Sequence, residues 1–101
     1  MLKQNEDALP DFRIFETDEF LKRFENLTSR DAKFLRRKID EYVYPQLKYE
    51  PFWGKNIKKL HGYTPDTWRY RIGKFRLFYI VERTKKIVHI ITIDDRKDAY
   101  S

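Results

Sequence analysis

A chain of 101 residues with 22 Lys and Arg, 16 Asp and Glu and no cysteine fits a single domain and excludes disulfides, thiol nucleophiles and cysteine-bound metals. The formal net charge of +6 is uneven: residues 1–31 carry 5 basic and 8 acidic side chains, residues 32–101 carry 17 and 8. Such a positive C-terminal two-thirds suits a polyanion: RNA, DNA or an acidic protein segment. No window approaches the ~18 apolar residues of a membrane span, and the polar first ten residues hold no signal-peptide core, so a cytoplasmic protein without a membrane partner is expected.

Residues 1–11 are polar, contain Pro10 and read as a flexible extension; residues 12–101 read as one domain. A short strand is expected at 12–16. Thr17 and Asp18 offer helix N-caps, and Phe20, Leu21, Phe24 and Leu27 share one face of a helix over 18–27. Thr28 with Asp31 three positions on resembles a capping box and opens a second helix, with Ala32, Leu35, Ile39, Tyr42 and Val43 as its apolar positions. Pro45 should end or kink that helix near Tyr44. Residues 46–56 look loop-like, and three strands follow at 67–72, 75–82 and 86–93. The order β-α-α-β-β-β predicts an α+β fold, a helical hairpin packed on one face of a small antiparallel sheet.

The most informative stretch is Trp68-Arg69-Tyr70-Arg71-Ile72-Gly73-Lys74-Phe75-Arg76-Leu77-Phe78-Tyr79. Gly73-Lys74 suits a two-residue type II′ turn, whose first central residue needs a positive φ. That turn sets Ile72 opposite Phe75, Arg71 opposite Arg76, Tyr70 opposite Leu77 and Arg69 opposite Phe78. Side chains alternate across a strand, so Trp68, Tyr70, Ile72, Phe75, Leu77 and Tyr79 should lie under the helices. Arg69, Arg71, Arg76 and Phe78 share the other face. Converging guanidinium groups make a phosphate site, and Phe78 offers a ring for stacking; the plainer alternative is a solvated strand face. The turn at 83–86 leaves two registers open for the last strand, and a one-residue slip moves His89 between faces. No grouping of His, Asp and Glu has metal-ligand spacing.

The chain resembles the RelE/ParE toxin superfamily at three places: Lys58-Lys59-Leu60-His61-Gly62, the basic hairpin of residues 68–79, and Ile93-Asp94-Asp95-Arg96-Lys97-Asp98-Ala99-Tyr100. The resemblance implies a RelE-like toxin, an mRNA interferase that cuts mRNA in the ribosomal A site. The ribose 2′-hydroxyl attacks its neighbouring phosphate and leaves a 2′,3′-cyclic phosphate and a 5′-hydroxyl, with no cofactor. The matching positions are Arg69 and Arg71, where RelE-type proteins commonly carry lysine, with Arg76, Arg96 and Tyr100. Arg71, Arg76 and Arg96 would neutralise transition-state charge, and Tyr100, its pKa lowered from ~10 by surrounding cations, would serve as base. Lys58, Lys59, Lys74, Arg69 and Phe78 would bind RNA or its phosphates. Arginine at 69 and 71 favours a charge clamp over proton transfer, and Asp95 is acidic where many relatives are not. The resemblance also implies an acidic antitoxin partner. A ParE-like inhibitor of DNA gyrase and a catalytically inactive member of the fold are the alternatives.

Overall fold

The computed structural model describes residues 11–95. Its elements run β1 (Arg13–Glu16), α1 (Asp18–Glu25), α2 (Ser29–Lys38), a π-helical turn (Ile39–Val43), α3 (Tyr44–Tyr49), β2 (Ile57–Lys59), β3 (Trp68–Ile72), β4 (Phe75–Glu82) and β5 (Ile87–Asp94). The strands form one sheet in the order β1-β5-β4-β3-β2. The α+β architecture with the helical layer on one face is as expected, but the sheet is mixed: β1 lies parallel to β5, and the other neighbours are antiparallel. No described helix is long and apolar enough to cross a membrane.

Local chemistry explains the helices. Thr17 Oγ1 accepts from the Phe20 N–H at 3.2 Å and donates to the Ile90 carbonyl at 2.8 Å, so one residue caps α1 and ties it to β5. Thr28 caps α2 through the Asp31 N–H at 3.1 Å. Pro45 does not end the helical path. Residues 39–43 widen into a π turn, in which the Tyr44 N–H reaches the Ile39 carbonyl. The proline then sits in the first turn of α3, directly after the π turn, whose wider winding accommodates its missing N–H. The expected loop at 46–56 is therefore helical through Tyr49.

The register of β3–β4 is the predicted one, Ile72↔Phe75 through Arg69↔Phe78. Trp68, Tyr70, Ile72, Phe75, Leu77 and Tyr79 join Phe20, Leu35, Ile39, Val43 and Leu47 from the helices in one core with Val88, Ile90 and Ile93. Each such fully buried large side chain contributes about 1.5–3 kcal/mol. Lys86, at φ 55°, closes the β4–β5 turn and fixes Val81↔Val88 and Ile80↔His89, which puts His89 on the face away from the core beside Glu82 (3.1 Å). A bulge near Phe78 and Tyr79 shifts the register toward the end of β5. At the start of the described residues, Asp11 donates its N–H to the Lys48 carbonyl at 3.0 Å; the rest of the expected extension, residues 1–10, lies outside the described residues.

Polar bonds stitch the layers together. Glu16 Oε2 accepts from the Tyr44 hydroxyl at 2.6 Å and from Arg36 at 2.9 Å, and Arg36 also holds Asp40. The buried Tyr79 hydroxyl donates to the Pro51 carbonyl at 2.7 Å. Burial first, then Glu16, pushes the Tyr44 phenol upward; burial, then the charges of Tyr70 and Glu50, does the same to Tyr79. The folded state therefore keeps protons that the unfolded chain releases above pH ~10. The stability they confer is complete below that pH and declines as pH rises beyond it, which urea melts between pH 8 and 11 will register. Glu16→Ala removes the acceptor shared by Tyr44 and Arg36 and is expected to cost about 1–3 kcal/mol in the same melts.

Candidate nucleic-acid interface

Gly73 has φ +60°, and Lys74 is not among the positive-φ residues, as a type II′ turn requires. The turn and the edge strand β2 arrange the open face in two rows. Lys58, Arg69, Phe78 and Thr92 lie side by side across β2, β3, β4 and β5. Arg71, Arg76 and Asp94 form the next row across β3, β4 and β5. Like charges set directly opposite destabilise a sheet, by up to about 1 kcal/mol per pair. The pairs Lys58–Arg69 and Arg71–Arg76 both carry that cost.

Hydrogen bonds to carbonyls hold two of the guanidinium groups. Arg69 Nη1 donates to the Asn56 carbonyl at 3.1 Å, which also accepts the Arg71 backbone N–H at 2.9 Å. Arg76 Nη1 donates to the Gly73 and Phe75 carbonyls, each at 3.1 Å. Arg71 is exposed. Burial, then Arg76, then Arg71, pulls the Arg69 pKa below its ordinary value. Its charged form is thus disfavoured, and an anion placed among the three arginines would relieve it.

The other sequence candidates divide. Lys58 joins the arginines, whereas Lys59 turns to the opposite face, 5.9 Å from the centre of the Trp68 ring and 3.3 Å from Asp66. Lys74 stands over the Phe75 ring at the hairpin tip. Phe78 does not present the open stacking ring expected of it: it is 4 % exposed, on a small apolar cleft that it shares with Tyr63, Pro65 and Ile80. His61 is exposed. Arg96 and Tyr100 lie outside the described residues. Asp94, however, pairs with Arg76, so the chain reaches its last described residues beside the arginine rows.

Three features were not anticipated. Asn56 organises the backbone side of the cluster through its carbonyl, for which its side-chain identity gives no signal. Asp94 is buried and pairs with Arg23 of α1 at 3.3 Å, bringing another cation to the end of β5. An open cleft of about 1000 Å3 runs between the helical layer and the hairpin tip, lined by Phe34, Lys38, Tyr42, Ile72, Lys74 and Arg71 among others. Among the described residues no group of three or more His, Asp or Glu could hold a metal ion. Tyr70, on the core side, is pushed up by burial and donates to Gln46 Oε1, so it offers no ready base. What this face supplies is dense, fixed positive charge.

Residues 13–100 match the family model described as the ParE toxin of type II toxin–antitoxin system, parDE. The fold is similar to that in the archaeal RelE–RelB complex from Pyrococcus horikoshii OT3, at 24% identity over 87% of this chain and 98% of that one, TM-score 0.63. It is similar to a chain of the toxin–antitoxin complex RelBE2 from Mycobacterium tuberculosis, at 23% identity over 87% and 100%, TM-score 0.68. A chain of the intact E. coli RelBE toxin–antitoxin complex is 25% identical over 81% and 93%, TM-score 0.57. No curated protein matches the sequence.

Exchanging chloride for phosphate at constant ionic strength should raise the melting temperature of the wild-type protein. Arg71→Gln should abolish most of that rise while leaving the protein at least as stable in chloride, because an opposed charge pair is gone. An undiminished rise in Arg71→Gln would place the phosphate elsewhere.

Proposed function

This chain belongs to the ParE toxin family of type II toxin–antitoxin systems, within the RelE/ParE superfamily, and on that premise we propose that it is an endoribonuclease that cleaves mRNA on the ribosome. The observation that carries the proposal is the arginine pair Arg71–Arg76, set face to face beside Arg69 on the open side of the hairpin. Opposed arginines cost stability, and a bridging phosphate turns that cost into binding energy.

The chemistry needs little more than charge. The ribose 2′-oxygen gives up its proton and attacks the adjacent phosphorus, the bond to the 5′-oxygen breaks and that oxygen takes a proton from water, and a 2′,3′-cyclic phosphate and a 5′-hydroxyl result. Arg71 and Arg76 neutralise the phosphorane, whose charge exceeds that of the diester, and Arg69 and Lys58 hold the neighbouring phosphate. Arg96 and Tyr100 complete the site in this proposal. Tyr100 takes the 2′-proton, its pKa lowered by the surrounding cations. Lys74 at the hairpin tip adds charge along the strand of RNA. No metal or cofactor takes part, since the nucleophile is internal to the substrate.

The partner proposed is an antitoxin whose acidic segment covers the arginines until it is removed. One observation favours a second function: the matching family model is that of the ParE toxin. A ParE-like chain would bind and inhibit DNA gyrase and break no RNA bond itself.

Induced expression with pulse labelling and RNA end mapping separates the two. The nuclease predicts rapid loss of protein synthesis with new mRNA ends inside translated codons. Gyrase inhibition predicts DNA damage while translation continues. Arg76→Ala is expected to lower cleavage about 100-fold or more, and Tyr100→Phe to relieve growth arrest with the fold intact. Full toxicity of both variants would refute the site.

A further inference from the structure

The most exposed large apolar side chain among the described residues is Trp53, at 75 %. It stands in the connection between α3 and β2, beside an aromatic group that is well ordered by its own contacts. The Phe52 ring packs on Trp68 at 5.2 Å and meets Phe12 edge-on at 6.0 Å. The Arg83 guanidinium lies over the Phe52 ring at 4.1 Å, and Lys59 lies over Trp68 at 5.9 Å. Phe52, Trp53, Ile57, Lys59, Trp68 and Arg83 line a cleft of about 300 Å3. An indole left in water next to two ring-stacked cations serves no purpose in the core.

We infer that this cleft is a nucleobase platform: an unpaired base of single-stranded RNA stacks on Trp53 while its phosphate meets Arg83 or Lys59. The inference rests on the RNA-binding role proposed above and extends it to a second contact. The edge strand β2 supplies the route. Lys58 projects to the arginine face and Lys59 to the Trp68 face, with exposed Lys55 just before them. A polyanion leaving Arg69 can therefore cross the sheet edge over lysines and arrive at the cleft. Charge and ring chemistry favour a nucleotide over an acidic peptide: the cavity takes one planar ring system but not a helix ~10 Å across, and both cations already sit on aromatic faces. Asp66, which pairs with Lys59 at 3.3 Å, sets a modest limit on the phosphate attraction, and Glu82 is engaged by His89 and Lys85.

The test uses the full chain and a short 2′-O-methyl oligoribonucleotide, which lacks the 2′-hydroxyl and cannot be cleaved. The chain has 2 tryptophans, and Trp68, 4 % exposed, also lines the cleft, so the part of the quenching that is lost in Trp53→Phe reports on Trp53. The expected result is saturable quenching in the wild type. In anisotropy titrations Trp53→Ala should bind about five-fold or more weakly and Trp53→Phe close to wild type. Equal binding by Trp53→Ala, absence of quenching, or quenching by a glutamate-rich peptide in place of the oligonucleotide overturns the platform. Cleavage of mRNA in a translation extract by the wild-type protein is scored in parallel. Cleavage there with no effect of Trp53→Ala on oligonucleotide binding rejects the platform alone, whereas Trp53-dependent binding without cleavage rejects the nuclease alone.

Discussion

The turn at Gly73-Lys74 governs the rest of this molecule, because it sets the phase of the β3–β4 hairpin. With Ile72 opposite Phe75, every second residue of both strands is committed to the core and the intervening ones to the open face. A one-residue slip of β3 against β4 would drive Arg69 and Arg71 under the helices and expel Trp68, Tyr70 and Ile72. Burial of unpaired guanidinium groups makes that alternative prohibitively costly. Positive φ at the first turn position is what glycine supplies without strain, so a single small residue keeps the apolar and ionic halves of the hairpin apart.

Around that hairpin the layers are fastened at a few polar points. Thr17 caps α1 and bonds β5, Glu16 joins β1 to Tyr44 and Arg36 of the helical layer, and Tyr79 reaches Pro51 across the core. Each anchor satisfies a polar group that would otherwise be stranded at the boundary between sheet and helices. The π turn at 39–43 belongs with them, for it lets the helical path continue past Pro45 to Tyr49 and deliver Tyr44 to Glu16 and Leu47 to the core.

The open face breaks the rules that the core obeys. Lys58 faces Arg69, Arg71 faces Arg76, and Arg69 is partly desolvated as well. A sheet selected for stability alone would alternate signs at these positions. Local frustration of this kind is expected where a surface is completed by something from outside, and an anionic partner would supply the missing charge. The RNA substrate and the acidic antitoxin proposed for this toxin would meet the same arginines and so would compete for them.

Features governed by neighbours a few residues apart were legible in the sequence. Thr17 and Thr28 as caps, the Gly73 turn, the pairing Arg71↔Arg76 and the buried alternation from Trp68 to Tyr79 follow from φ preferences, hydrogen-bonding groups and period-two patterning, all of which act locally. The three-part motif carried the family as well. Contacts made by residues far apart in the chain were not legible. The parallel pairing of β1 with β5, the registry of His89, the Arg23–Asp94 pair, the split of Lys58 from Lys59 and the burial of Phe78 all depend on which segments the collapsed core brings together. An isolated strand of three or four residues carries too few side chains to choose its neighbour, so packing of the whole sheet makes that choice.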